Sequence, residues 1–160
     1  LIYMLGRSCD DLGSSEYLHH ILKVALSPAP NIDIDEEILV QQSTLQLIRA
    51  GLLQSAHDVS EGGLFMNLLE SAFTSGLGFS IQSHSVIRKD AFLWGESQSR
   101  IVVTVKPHQQ QAFLNHLGNC PFEWLGRVEG NRVEIDGEDW GLVADWKQPY
   151  DTQLSELMQA

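Results

Sequence analysis

Two periods of hydrophobic and polar positions run through the chain. Leu64, Phe65, Leu68, Leu69, Ala72 and Phe73 recur at helical spacing and fall on one face, which predicts an amphipathic helix. Before it the apolar signal stops after Leu52 and Leu53. The segment into His57 therefore reads as a strand that ends in a polar turn of His57, Asp58, Ser60 and Glu61. An earlier helix is expected to hold Ile38, Leu45 and Ile48 on its apolar side. Asp33, Asp35, Glu36 and Glu37 stand at its start, where negative charge suits the helix dipole, and Gly51 closes it after Arg49.

Leu1–Leu5 is an apolar run ended by Gly6, consistent with a buried strand. Ser14 or Ser15 can cap a helix carrying Tyr17, Leu18, Ile21, Leu22 and Ala25, which Pro28 and Pro30 stop. Phe79 and Ile81 alternate with polar neighbours as a strand, and so do Ile101, Val103 and Val105. Pro107 fits the first turn of a helix through Leu117. Two strands about Trp124 and Val133, joined at Gly130–Asn131 and followed by a turn at Asp136–Gly137, read as a meander. Asp151 can cap a short last helix to Met158. The apolar sides of these elements predict one shared core of Ile38, Leu45, Leu64, Leu68, Phe73, Ile101 and Val103.

Composition narrows the function classes. With 160 residues, 43% of them hydrophobic, the chain can bury a core of its own. A formal net charge of −11 argues against nonspecific binding to nucleic acid or to an anionic membrane, both of which want a basic surface. No run approaches the length of a membrane span. Cys9 and Cys120 stand far apart without metal-ligand spacing, which points to unpaired thiols and the cytoplasm. His19 and His20 are adjacent on a helix and point to different faces, so they read as surface residues. The start at Leu1 suggests a fragment of a longer protein.

The candidate chemistry sits in two polar stretches. In the first, AHDVSEGGL, Asp58 and Ser60 are N-cap candidates and Glu61 could complete a capping box from Asp58. Gly62 and Gly63 weaken a first helical turn unless a backbone or a ligand must approach there, and an anion at a helix N-terminus is one such ligand. Plain capping and a ligand site both remain open. The second stretch, GESQSRIVVTV, places Gly95, Glu96, Ser97, Gln98 and Ser99 in a polar loop before a buried strand. Ser97 and Gln98 offer neutral donors, and Arg100 can grip a carboxylate or phosphate with two prongs; the plainer reading is a solvated loop with Arg100 in a salt bridge. If the strand ending at His57 and the strand beginning at Arg100 run antiparallel, the turn and the loop meet at one edge.

In order and spacing, AHDVSEGGL followed by GESQSRIVVTV resembles the C-terminal domain of the phosphoribosylformylglycinamidine synthases, members of the aminoimidazole ribonucleotide synthetase superfamily. IYMLG and LGSSEYL resemble the end of the preceding half and the crossover into that domain, so residues 1–30 are expected to close a preceding domain and 31–160 to form the last one. The resemblance implies an α+β fold, a mixed sheet with helices packed on one face. It also implies an ATP-dependent conversion of the amide of formylglycinamide ribonucleotide to an amidine, with ammonia from glutamine entering at an activated iminophosphate. The implied cofactors are ATP and magnesium. The implied partners are the nucleotide-side domains of the same enzyme and a glutaminase subunit or domain. Carried over by motif, Asp58, Ser60, Gly62, Gly63, Glu96, Ser97, Gln98 and Arg100 become ligand-binding candidates, with Asp58 as a magnesium ligand. No catalytic residue is carried over, His57 included, and the fragment alone is expected to be inactive.

Overall fold

A computed structural model describes residues 1–83 and 86–158; residues 84, 85, 159 and 160 of the expected 31–160 domain lie outside them. Among the described residues, seven strands form one sheet in the order β2-β4-β1-β5-β3-β6-β7. They are β1 (Ile2–Leu5), β2 (Ser55–Asp58), β3 (Phe79–Ile81), β4 (Ile101–Thr104), β5 (Phe122–Val128), β6 (Arg132–Ile135) and β7 (Glu138–Leu142). Every neighbouring pair is antiparallel except β3 and β6, so the sheet is mixed. The helices are α1 (Ile34–Arg49), α2 (Gly63–Ser75), α3 (Lys89–Trp94), α4 (Gln110–Leu117) and α5 (Val143–Leu157).

The α+β class and the mixed sheet agree with expectation, but the helices cover both faces. Successive side chains of a strand point to opposite faces, and β1 has apolar residues on both. Ile2 and Met4 join Leu64, Leu68, Leu69, Phe92, Leu125 and Val133 in the core under α2, α3 and α5. Tyr3 and Leu5 join Val40, Leu47, Val103, Phe113 and Leu117 in a second core under α1 and α4. The expected single core is thus two, with Leu64, Leu68 and Phe73 in the first and Val103, with Ile101 packed beside it, in the second. Nor does a boundary at residue 30 set β1 apart, since Ile2–Leu5 pairs with β4 on one side and β5 on the other at the centre of the sheet.

In α1 the buried face differs from the expected one. Ile38, Leu45 and Ile48 are 45–53% exposed, while Val40, Ser43, Thr44 and Leu47 go inward. The helix carries two faces free of charge, and the one with smaller side chains fits against α4 and β4. Its hydroxyl cost is offset locally, because Thr44 Oγ1 donates to the Val40 carbonyl at 2.8 Å.

Three further elements differ from expectation. The helix expected from Tyr17 to Ala25 is one π turn, Tyr17–Ile21, with Lys23 left-handed at φ 58°. Its N-cap residue is Glu16 rather than Ser14 or Ser15, though the Ser15 hydroxyl accepts from the Leu18 amide, and Tyr17 stacks on Trp94 at 5.0 Å. No hairpin joins β5 to β6, because β3 lies between them; among the described residues the tight hairpin is that of β6 and β7, turned at Asp136 and Gly137, both at positive φ. Finally, α5 begins at Val143 and runs through Pro149, so Asp151 lies inside it, paired with Lys147, rather than at its cap.

Candidate functional site

The antiparallel pairing of β2 with β4 sets Asp58 opposite Ile101, and the Val59 amide donates to the Arg100 carbonyl at 2.9 Å. The turn leaving β2 and the loop entering β4 therefore lie at one edge. They also touch, since the Gly62 amide donates to Glu96 Oε1 at 2.9 Å. The same oxygen accepts from the Glu16 amide at 2.8 Å, so one carboxylate ties the loop to both α2 and the N-terminal segment.

This contact changes how α2 begins. Its N-cap is Gly62, left-handed at φ 80°, and no side chain of the turn caps it. Asp58 and Ser60 are exposed and do not serve as caps, and no capping box forms with Glu61. The Gly63 amide is taken by the Ser60 carbonyl at 3.0 Å. The two glycines answer to the backbone: Gly63 has φ 68°, and a Cβ there would come within 2.8 Å of the carbonyl oxygens of Leu93 and Gly95. The close approach that requires glycine is made by the end of α3.

Arg100 is also used from within. It is 2% exposed, with Nε donating to the Ser97 carbonyl at 3.0 Å and Nη2 to the Gly95 carbonyl at 2.6 Å. Burial lowers its pKa to about 10, which leaves it charged at neutral pH. Its fork holds the loop in shape rather than opening to a phosphate. Ser97 is 4% exposed, and the hydroxyls of Ser97 and Ser99 are buried without a hydrogen-bond partner. Gln98 is exposed, its amide donating to the Glu96 carbonyl at 3.3 Å.

The eight candidate residues are thus gathered at one edge without forming an open anion cradle. A fixed carboxylate already sits at the helix N-terminus, where an anion is best held. Asp58 has no acidic, histidine or cysteine cluster about it: among the described residues no group of three or more such side chains could hold a metal. By itself the edge offers no open anion cradle and a single exposed carboxylate, Asp58, so a magnesium ion there would need its other ligands from outside this edge.

Asn67 also belongs to this edge, though nothing in the motif reading singles it out. Its Nδ2 donates to the carbonyls of Asp58 at 2.7 Å and His57 at 3.2 Å, pinning the exit of β2 to α2. The signal was available, as a polar residue standing among the apolar positions of α2. His57 faces away from the loop, its Nδ1 3.2 Å from Ser71 Oγ and its Nε2 3.6 Å from Glu70. It lines a cavity of about 740 Å³ between the second half of α2 and the β2, β4 side of the sheet. None of the eight candidate residues lines that cavity.

Residues 1–137 match the family described as AIR synthase related protein, C-terminal domain. The chain belongs to this family. Among its curated relatives, the phosphoribosylformylglycinamidine synthase subunit PurL of Alkaliphilus metalliredigens is 36% identical over 137 residues, covering 84% of this chain and 19% of the relative. The subunit of the same name from Salinibacter ruber is 50% identical over 156 residues, covering 90% and 20%. The chain spans about a fifth of the length of these relatives. In structure it is similar to Thermotoga maritima PurL complexed with FGAR, with a TM-score of 0.73 and 16% identity over 89% of this chain and 27% of that one. It is also similar to the thiamine-monophosphate kinase of Stenotrophomonas maltophilia, with a TM-score of 0.53, 22% identity, and coverage of 86% and 50%. At such identities the solved structures speak to the fold alone. No helix among the described residues is long and apolar enough to cross a membrane.

Proposed function

We propose that this chain is the C-terminal portion of a cytoplasmic, ATP-dependent phosphoribosylformylglycinamidine synthase. The observation that carries the reading is the identity of 36–50% to PurL subunits across most of the chain. In that reaction the amide of formylglycinamide ribonucleotide is activated as an iminophosphate, and ammonia from glutamine displaces phosphate to leave the amidine. ATP and magnesium supply the phosphoryl group and its charge neutralisation. They fall to the nucleotide-side domains, because the edge of this chain fills its own anion position with Glu96 and its own fork with Arg100. A glutaminase subunit or domain supplies the ammonia.

The part left to this chain is structural. Glu96, Arg100 and Asn67 fix the edge so that exposed Asp58, Ser60 and Gln98 present a shaped polar wall to a neighbouring domain. Should Asp58 reach a magnesium ion in the assembled enzyme, the remaining ligands must come from that neighbour and from phosphate.

Two measurements test this. The longer polypeptide that carries this chain is expected to form the amidine from formylglycinamide ribonucleotide, ATP and ammonia; absence of product overturns the reading. The chain by itself is expected to form none, and to give no binding heat with ADP, with or without magnesium. Binding that Arg100→Ala abolishes would overturn the internally filled edge while leaving the family reading intact.

A further inference from the structure

The outward face of α1 carries more order than a solvent-facing helix needs. Ile34, Ile38, Gln41, Leu45 and Ile48 repeat at alternating steps of four and three, the spacing of a two-helix seam. The four aliphatic side chains are 45–58% exposed. They are separate from Val40, Ser43, Thr44 and Leu47, which face the core, so α1 has one seam inward and one outward. Asp35, Gln42 and Arg49 flank the outer seam on one side, seven residues apart and all exposed. On the other side stand Glu37, half-buried and bonded to Gln41, and Thr44, which is buried, so a partner helix has more room on the Asp35 side.

The charges choose the partner and its direction. Laid parallel against a second copy, the acidic starts of the two helices, with Asp33, Asp35 and Glu37 beside a Glu36 already paired with Arg7, would lie side by side and repel. Laid antiparallel, with Ile38 over Ile48 of the other copy and Gln41 over Leu45, the flank sets Asp35 against Arg49 at both ends and Gln42 against itself on the two-fold axis. Gln41 keeps its amide bonded to Glu37 of its own helix, so its methylenes can be covered without leaving that amide bare. We propose that the outer face of α1 is a self-association surface, an isologous antiparallel helix pair between two copies of this chain. This inference is independent of the reading of the edge at Glu96. The seam is short, which places the contact among weak interfaces.

Sedimentation of the whole chain at 0.15 M salt, from low micromolar to about millimolar concentration, tests it. A monomer–dimer equilibrium is expected, and Ile38→Glu or Ile48→Glu should each raise the dissociation constant at least about tenfold, since each buries an unpaired charge in the seam. Circular dichroism checks that these exposed positions leave the fold intact. For direction, Asp35→Cys and Arg49→Cys chains, both with Cys9→Ser, are mixed and oxidised. Cross-links between unlike variants support the antiparallel pair. A chain monomeric throughout, a dimer indifferent to both glutamates, or cross-links only between like variants would overturn it.

Discussion

In α1 the N-terminus is closed by the helix's own sequence, as Asp33 Oδ1 accepts from the amides of Asp35 and Glu36 at 3.0 and 3.1 Å. In α2 it is closed from another part of the fold, by Glu96, thirty-four residues from Gly62. The faces are reversed in kind. α2 has one apolar face, and that face is buried; α1 has two uncharged faces, and the less hydrophobic one is buried. A local cap sits beside an ambiguous face in α1, and an unambiguous face sits beside a distant cap in α2. The contrast teaches that capping and facing are settled separately, each by whichever neighbour arrives.

The largest expected effect lies on the face of α2. Leu68 is almost fully buried in the core of α2, α3 and α5, so Leu68→Ala should cost about 2–5 kcal/mol in an equilibrium urea unfolding curve. An unchanged midpoint would mean that α2 is no more firmly seated than the outer face of α1. Arg100→Ala comes next. It strips a charged donor from the carbonyls of Gly95 and Ser97 and leaves a cavity, so a loss of about 3 kcal/mol is expected by the same measurement. If the guanidinium instead served an external anion, its removal would cost little stability and would abolish that anion's binding.

Strands β1 to β6, α2 and α4 were legible, most of them because one period dominates the stretch, while β7 and the short α3 were not assigned; the meeting of turn and loop was conditional on an antiparallel pairing, which β2 and β4 make. Three features of the site and of α1 were not legible. Local spacing nominated Asp58 and Ser60 as caps, but a cap from Glu96 depends on where a loop returns in space. Arg100 read as a free fork because nothing in the sequence says that its partners are carbonyls of its own loop. In α1, hydrophobicity alone ranked Ile38, Leu45 and Ile48 above Ser43 and Thr44, whereas the internal bond from Thr44 to Val40 lets the smaller face pack.

The cap of α2 supplies the third expectation. Glu96→Ala removes the acceptor of the Gly62 and Glu16 amides together, and a loss of about 1–3 kcal/mol is expected. Glu96→Gln keeps an acceptor oxygen without its charge and should lose less. Asp33→Ala, the matching change in α1, should cost about 1 kcal/mol, as a local N-cap does. Amide exchange separates the two: Glu96→Ala should loosen the start of α2 and the segment about Glu16 together, while Asp33→Ala should loosen α1 alone. Loosening confined to α2 in the Glu96 variant would break the claim that one carboxylate joins the two.

The smallest effect belongs to the outer face of α1. Leu45→Ala removes a side chain that is 45% exposed and outside both cores, and alanine favours a helix at least as well as leucine does. At low micromolar concentration, where a weak pair is apart, unfolding should shift by no more than about 0.5 kcal/mol. At concentrations where copies associate, the same change should lower stability, because binding confined to the folded state adds to it by mass action. A loss of several kcal/mol already in the dilute chain would show that Leu45 faces the core after all, and α1 would then be turned about its axis from the orientation described. A concentration-independent shift near zero would keep that orientation and remove the pairing. Only a shift that grows with concentration satisfies both, so one substitution measured at two concentrations separates the packing of α1 from its association.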